Sequence, residues 1–277
     1  GYEFELGFTN TTRNGNLRYW VNANYTFARN KIIYMDEVPQ PFPGLAMTGS
    51  RIGQMKGLLA DGIYNTIEEI NDPNRPRSQW EGSGLRPGDI RYVDVNGDKI
   101  IDDNDRVNIG NPNIPEIIYG ATFGLQWKFL EVSVFFQGAG NVSTYLQGEA
   151  AWPFIAGTKT AFANAEQSWS EERYKAGLPI TLPRLTASPE AGKHYYRQSS
   201  FWMQEASYLR LKNLEIAANF SKAFLDKVGI KNLRVFINGQ NLHTWTKMPY
   251  FDPEIPNSNG SIYPVMRVFN GGFNLQF

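Results

Sequence analysis

Residues 16–29 read NLRYWVNANYTFAR, and taken alternately they separate into an apolar and a polar set. The apolar set is Leu17, Tyr19, Val21, Ala23, Tyr25 and Phe27, and the polar set is Asn16, Arg18, Asn22, Asn24 and Thr26. A period of two predicts a β-strand with one face in an apolar environment and the other in water. The same alternation recurs at Tyr2–Thr9, Ile117–Lys128, Leu130–Gln137, Leu233–Asn241 and Phe269–Phe277. Such strands of about ten residues are typical of membrane-spanning β-barrels.

A seventh segment, Tyr208–Phe220, alternates with one slip of phase near Lys212-Asn213. A β-bulge at the slip would keep the hydrophobic side chains of both halves on one face of the strand. The sequence therefore predicts an all-β fold with about seven strands. Seven strands alone would leave two unpaired edges within lipid, so we expect either further strands outside this sequence or a fold other than a barrel.

The composition excludes several classes of protein. Aromatic residues make up 14% of the chain while the mean hydropathy is −0.41, which fits aromatic girdles facing lipid and polar residues facing water. No apolar run approaches the ~18 residues that a helical span needs, which excludes a helical membrane protein. The 27 basic and 27 acidic residues balance, so we expect no nucleic-acid partner. The absence of cysteine excludes disulfides, iron–sulfur clusters and thiol catalysis.

Short and long connections take turns between the predicted strands. The short ones are residues 10–15, the break near Phe129, and residues 221–231; the long ones are about 30–115, 141–206 and 244–265. Outer-membrane barrels have tight periplasmic turns and long outer loops. This alternation predicts that the long loops are extracellular and that the carboxyl terminus is periplasmic. Because the chain begins inside a strand pattern without an initiator Met, we expect residues 1–277 to be the carboxyl-terminal portion of one longer barrel. A soluble β-sandwich with long loops, whose strands also alternate, is the competing fold.

The first long loop contains an acidic segment, DVNGDKIIDDND at residues 94–105. Its oxygen-bearing residues follow the spacing of a calcium-binding loop of the EF-hand type. The predicted ligands are Asp94, Asn96 and Asp98 through their side chains, Ile100 through its carbonyl, Asp102 directly or through water, and Asp105 closing the shell. Lys99 stands where the sharp turn normally has glycine, which would cost about 1 kcal/mol and weakens the match. We expect bound Ca²⁺ to have a structural role in stiffening the loop, and a solvated acidic turn is the alternative.

Eight short motifs together resemble the SusC/RagA family of TonB-dependent outer-membrane transporters of Bacteroidetes. They are GQMKG at 53–57, DGIY at 61–64, RPGDIRYVDVNGD at 86–98, IDDNDRVNIGNP at 101–112, VFFQG at 134–138, ASYLRLKNL at 206–214, VFINGQNLHTWTK at 235–247 and FDPE at 251–254. They occur in the family's order and cover nearly the whole chain.

The resemblance implies a fold and a set of partners. This chain would be the carboxyl-terminal third of a barrel of ~22 strands, with the plug, the TonB box and the earlier strands lying outside this sequence. It implies import of oligosaccharides or peptides through the bacterial outer membrane, driven by the TonB complex. It also implies a SusD-like surface lipoprotein that covers the barrel as a lid.

Enzymatic chemistry is not expected. His194 and His243 are the only histidines, they lie far apart, and they lack the spacing of metal ligands. In the second long loop, which has a helix-like stretch at about residues 160–176, Trp152 and Trp169 are candidates for contact with cargo or partner, or for the loop's own small core. Two other functions stay open: a soluble, secreted binding module with a dockerin-like calcium loop, and a passive porin.

Overall fold

The structure, a computed structural model, describes residues 1–82, 84–154, 160–186, 192–220, 230–255 and 259–276. Its strands are β1 (Tyr2–Thr11), β2 (Leu17–Phe27), β3 (Met55–Gly57), β4 (Ala60–Ile63), β5 (Arg77–Ser78), β6 (Ile90–Tyr92), β7 (Ile100–Ile101), β8 (Val107–Ile109), β9 (Ile117–Trp127), β10 (Leu130–Gly140), β11 (Ser143–Tyr145), β12 (Met203–Glu205), β13 (Tyr208–Asn219), β14 (Asn232–Thr246) and β15 (Val268–Gln276). Its α-helices are α1 (Ile67–Asn71), α2 (Glu171–Lys175) and α3 (Gly192–Tyr195). None of these helices is long and apolar enough to cross a membrane.

One large antiparallel sheet contains the long strands in the order β1-β2-β9-β10-β13-β14-β15. Its seven strands, 9 to 15 residues long within the described part of the chain, are the segments that the alternation predicts. The prediction of an all-β fold with about seven antiparallel strands is confirmed.

The register of the sheet collects the hydrophobic side chains on one face. Cross-strand partners share a face, and one row of partners crosses the whole sheet as Phe8, Val21, Phe123, Val134, Leu214, Gly239 and Phe269. A row on the other face runs Glu5, Asn24, Gly120, Gln137, Arg210 and Thr244. Large apolar side chains of the first face are exposed, for example 64% for Phe4 and 65% for Phe273. The sheet thus has one exposed apolar face and one polar face.

The predicted β-bulge is present in β13. The register shifts between Leu211 and Asn213 against the neighbouring strand β14 and at the matching point of β10. Against β10, Lys212 is the extra residue, and Leu211 pairs with Phe136 on the same face on which Leu214 pairs with Val134. Against β14 the extra residue lies in β14, where Asn241 and Leu242 stand opposite Lys212. The bulge keeps both halves of the strand in phase with the apolar face.

Two of the three predicted short connections lie in the described part of the chain. Residues 12–16 link β1 to β2, with Gly15 at φ +69°. Lys128 and Phe129 link β9 to β10, with Lys128 in the left-handed region at φ +54°. The predicted connection at 221–231 falls mostly on residues 221–229, which lie outside the described ranges.

The main hydrophobic core lies in the long loops and not behind the sheet. Leu58 and Ile90 of the first long loop, Leu146 and Trp202 of the second, and Met248 of the third belong to one buried cluster. Short two-stranded sheets support the cluster: β3 with β8, β4 with β6, β5 with β7, and β11 with β12. We call this part of the molecule the loop body.

The helix-like stretch predicted at 160–176 is two shorter pieces. A 3₁₀ helix spans Ala163–Gln167, and α2 begins only after Ser170. The Ser170 side chain accepts a hydrogen bond from the Arg173 backbone N–H and so caps α2 at its start. The two pieces are separate because the chain between them is extended at Ser168 and Ser170.

Candidate functional site

The polar face of the sheet carries charges in compensated groups. Arg234 lies 2.6 Å from Glu215 and 3.3 Å from Glu131, which places one guanidinium between two carboxylates on three adjacent strands. Trp20 is an apolar exception on this face. A methyl group on Gly124 would overlap the Trp20 indole, so the glycine provides the space in which the ring lies. A face of this composition is suited to a water-filled channel.

An ion-pair cluster joins the loop body to the sheet just outside the first residue of β9. Glu116, 5% exposed, accepts hydrogen bonds from Arg29 at 2.6 and 2.8 Å, from Arg51 at 2.9 Å and from Asn141 at 3.1 Å. The hydrogen bonds from Arg29, followed by the one from Arg51, lower the pKa of Glu116 to about 2. The cluster connects the ends of β2, β9 and β10 with the start of the first long loop.

A second ion-pair cluster holds the FDPE motif of the third long loop against β13. The Arg210 side chain is 1% exposed and donates to Asp252 at 2.6 Å, to Glu254 at 2.5 Å and to Thr244 at 2.8 Å. Lys212 adds a contact of 2.9 Å to Glu254. The two carboxylates of the motif thus compensate a buried guanidinium, which gives the motif a structural role.

The acidic loop folds around its own carboxylates. Asp94 accepts hydrogen bonds from the backbone N–H groups of Gly97 at 2.7 Å and Lys99 at 2.8 Å. Lys99 is in the left-handed region, with φ +67°, as the turn of the predicted calcium loop requires. Asp105 is fully buried and accepts from the N–H groups of Val95, at 2.8 Å, and Asp102, at 2.9 Å.

The donor set fits Ca²⁺ only in part. The Asn96 and Asp98 side chains accept hydrogen bonds from the backbone N–H groups two residues further along the chain, at 2.9 and 2.8 Å. The Asp102 side chain accepts one from the Asn104 N–H at 2.7 Å. Within the described ranges no three His, Cys, Asp or Glu side chains are grouped as they would be around a metal ion. The turn has the conformation of a calcium loop, but its carboxylates accept hydrogen bonds from backbone N–H groups. Calcium coordination by these residues, with the Ile100 carbonyl, stays a prediction.

Trp152 and Trp169 both contribute to the packing of the loop body. The Trp152 ring lies 4.8 Å from that of Tyr196 and 6.3 Å, edge to face, from that of Trp202. The Trp169 indole N–H donates to Asn65 at 3.1 Å, and the ring occupies the space beside Gly88, whose φ is +94°. The structure therefore gives both residues a role in the loop body's core, and their contact with cargo or partner stays a prediction.

The two histidines lie in different environments. His194 is buried; its Nε2 lies 2.7 Å from the Ile90 carbonyl oxygen, to which it donates, and its Nδ1 lies 3.2 Å from the Ser78 hydroxyl. Burial lowers its pKa, which favours the neutral ring. Because Ser78 is also buried, the pair is a packing contact without access to a substrate. His243 is on the apolar face of β14, where its ring lies 4.5 Å from that of Trp245.

Two curated proteins with the same kind of name are similar to this chain in sequence. No protein-family profile matches the chain. It is 28% identical to TonB-dependent receptor P3 of Formosa agariphila over an alignment of 305 residues, and 28% identical to TonB-dependent receptor P26 of the same organism over 304. Both alignments include all of this chain but only 28% and 29% of the relatives, so the chain spans less than a third of their length.

Solved structures agree at the level of the fold. The structure of the RagAB peptide transporter matches 99% of this chain and 29% of its own, with a TM-score of 0.66 and 20% identity. The RagAB peptide importer in the open-open state matches 99% and 28%, with a TM-score of 0.69 and 19% identity. In sequence the chain is thus similar to part of two TonB-dependent receptors, and in fold it is similar to part of the RagAB structures. These likenesses agree with the SusC/RagA resemblance carried by its motifs.

Proposed function

We propose that this chain is the carboxyl-terminal part of the barrel of a TonB-dependent importer in the outer membrane of a bacterium of the Bacteroidetes type. Its seven long strands form part of the channel wall, with the apolar face toward the lipid bilayer and the polar face toward the lumen. The long loops face the exterior and the carboxyl terminus faces the periplasm. The remaining strands, the plug and the segment that contacts the TonB complex belong to the rest of the protein, and the chain performs no bond-breaking chemistry.

The observation that carries the proposal is the separation of the two faces of the sheet. The seven strands place most of their apolar residues on one face in register, and these side chains are exposed, as Leu6 at 62% and Ile237 at 60% illustrate. A soluble sandwich would cover such a face with a second sheet. The described long strands all belong to the one sheet, and the hydrophobic core lies in the loop body. Hydrocarbon is the environment that makes this arrangement stable.

Cargo and lid are proposed on the basis of similarity. The solved structures of similar fold are named as a RagAB peptide transporter and a RagAB peptide importer. From this likeness and the motifs we infer that this protein works with a SusD-like surface lipoprotein as its lid and imports oligosaccharides or peptides. The loop body, whose first and third loops are joined to the wall by the Glu116 and Arg210 clusters, is the surface that would meet both.

Two other functions remain as competitors. A soluble, secreted module with a dockerin-like calcium loop would use the acidic segment for binding, but it leaves the exposed apolar face of the sheet without a role. A passive porin would share the wall and differ in needing no plug and no TonB complex.

Native purification tests the proposal. An affinity tag on an exposed outer loop allows gentle detergent extraction of native outer membranes, capture, and mass spectrometry of all co-purifying chains, with an untagged strain as the control. We expect one longer polypeptide that contains this sequence together with a plug, and a stoichiometric surface lipoprotein. A protein recovered without detergent from the medium would support the secreted module, and a barrel without a plug would support the porin.

A further inference from the structure

His194 lies at a joint between the first and second long loops. It belongs to α3 of the second loop and is 4% exposed. Its ring contacts two strands of the first loop: Nε2 donates to the Ile90 carbonyl oxygen of β6 at 2.7 Å, and Nδ1 lies 3.2 Å from the Ser78 hydroxyl of β5. The Tyr92 ring packs against the imidazole, with centroids 4.7 Å apart, and its hydroxyl donates to the His194 carbonyl oxygen at 3.0 Å. We call these contacts the His194 joint.

The hydrogen bonds of the joint fit a neutral ring. Because Nε2 carries the hydrogen that is donated to Ile90, Nδ1 of the neutral imidazole is an acceptor, and it faces the hydroxyl of Ser78. The Ser78 oxygen in turn accepts the backbone N–H of Trp80 at 3.3 Å, so its own hydrogen is available to Nδ1. A proton added to Nδ1 would therefore remove the hydrogen bond that this nitrogen accepts.

The charged groups around the joint offer no free counterion to a protonated ring. The carboxylates that act on His194 are Asp89 and Glu81 of the first loop. Each is already held by an arginine: Asp89 accepts from Arg184 at 2.7 Å, and Glu81 accepts from Arg75 at 2.6 and 3.3 Å. Arg75 also opposes a positive charge on the ring. Burial is the main reason why the pKa of His194 lies below its ordinary value of 6.5, and the two carboxylates offset only part of this effect.

We propose that the His194 joint is an acid-sensitive switch, which holds α3 of the second long loop on β5 and β6 at neutral pH and loosens when His194 takes up a proton. A buried imidazolium without a counterion costs free energy, whereas opening of the joint lets water solvate the charge. The open joint therefore binds a proton more readily than the closed joint, and acid favours opening. Between pH 7.5 and 5.5 histidine is the side chain whose ordinary pKa gives such a response.

The size of the effect follows from the ordinary pKa of histidine. A ring exposed to water, with a pKa of about 6.5, is protonated about tenfold in excess over the neutral form at pH 5.5. If the ring stays neutral while the joint is closed, the equilibrium constant for opening rises about tenfold between pH 7.5 and 5.5.

Hydrogen-exchange mass spectrometry of the full-length protein in detergent tests the switch. Exchange at pH 7.5 and 5.5 is expressed as protection factors, which remove the pH dependence of the chemical exchange rate. We expect protection of peptides that cover residues 76–81 and 195–202 to be about tenfold lower at pH 5.5, while β9 in the sheet keeps its protection. Unchanged protection of the joint peptides would overturn the proposal.

Three variants assign the response to His194. His194→Gln should show less than a twofold change between the two pH values, because its amide N–H can still donate to Ile90 but does not titrate. Ser78→Asp should also remove the loss of protection at pH 5.5, because it places a carboxylate beside Nδ1 as a counterion. His243→Gln is the matched control, since the ring of His243 packs on Trp245 outside the joint, and it should respond as the wild type does. A tenfold loss that survives in His194→Gln would refute the assignment.

A consequence for transport rests on the proposed importer function. The loop body would meet the lid, so a loosened joint should weaken that contact. We expect the tagged wild-type protein to retain less of the co-purified lipoprotein at pH 5.5 than His194→Gln does. Equal retention by the two proteins would show that the switch does not act on the lid. The exchange measurement needs neither lid nor transport, so its failure leaves the importer proposal, which co-purification at neutral pH tests, unaffected.

Discussion

A charge placed on either face of β14 should distinguish a membrane wall from a soluble sheet. Ile237 is 60% exposed on the apolar face, and Gln240, three residues further along the strand, is exposed on the polar face. Ile237 is five residues above the start of β14 at Asn232. With a rise of ~3.4 Å per residue and a tilt of ~40°, it lies about 13 Å above that end. This height is near the middle of an apolar band ~25 Å tall.

Ile237→Arg should therefore reduce the stability of the membrane-inserted protein by about 2 to 4 kcal/mol, the cost of arginine near the bilayer midplane. That cost corresponds to a factor of roughly 30 to 900 in the folding equilibrium constant. Gln240→Arg, on the same strand but facing the lumen, should cost less than about 0.5 kcal/mol.

Urea unfolding of the full-length protein in lipid vesicles, followed by the heat-dependent shift of band position on gels, measures both variants. Equal costs for the two substitutions, or a larger cost for Gln240→Arg, would show that the apolar face does not contact lipid. The reasoning about the wall would then be refuted.

Three further predictions concern the loops. Glu116→Gln should lower the free energy of unfolding at pH 7 by about 1 to 3 kcal/mol. Because the pKa of Glu116 is about 2, below the ordinary 4.5, its contribution is complete above pH 4.5 and lost as the pH falls toward 2. The free energy of unfolding measured with urea should therefore fall less steeply from pH 4.5 to pH 2 in the variant than in the wild type. Parallel pH curves for the two proteins would contradict this. Lys99→Gly should raise the stability of the loop by about 1 kcal/mol, since glycine adopts φ +67° without strain; faster proteolysis of the loop in the variant would argue against it. Ca²⁺ should bind with a heat signal in titration calorimetry that is weaker in Asp98→Asn and absent in excess chelator, and a flat wild-type titration would remove calcium from the account.

The seven-stranded sheet could be predicted from the sequence because the pattern that specifies each strand is local. A period of two needs only neighbouring residues, and each strand of the sheet shows it independently. The irregularity in β13 could also be predicted, since a β-bulge near Lys212 is the simplest way to keep the apolar residues of both halves on one face of the strand. The position of Trp20 on the polar face could not be predicted from the pattern, because the space for its ring is provided by Gly124 on the next strand.

The loop body could not be predicted in the same way, since its contacts join residues far apart in the chain. Arg29 and Glu116 are 87 positions apart, and Arg210 and Asp252 are 42 apart. No periodicity selects these partners from the other charged residues. The acidic segment was visible as a motif, yet the pattern of oxygen atoms could not tell whether they face a cation or the backbone amides that they accept from in the structure.

The location of the core explains why the loops are so long. The strands of the sheet carry most of their apolar side chains on its exposed face, so few are left to stabilise the loops. The loops must therefore supply a buried core of their own. The long loops do so with a cluster around Trp202, which is 1% exposed, and with short sheets of their own. Such a body would move independently of the wall unless it were attached. The Glu116 cluster attaches the first loop and the Arg210 cluster the third, each with a buried charged side chain whose separation from its partners would be costly.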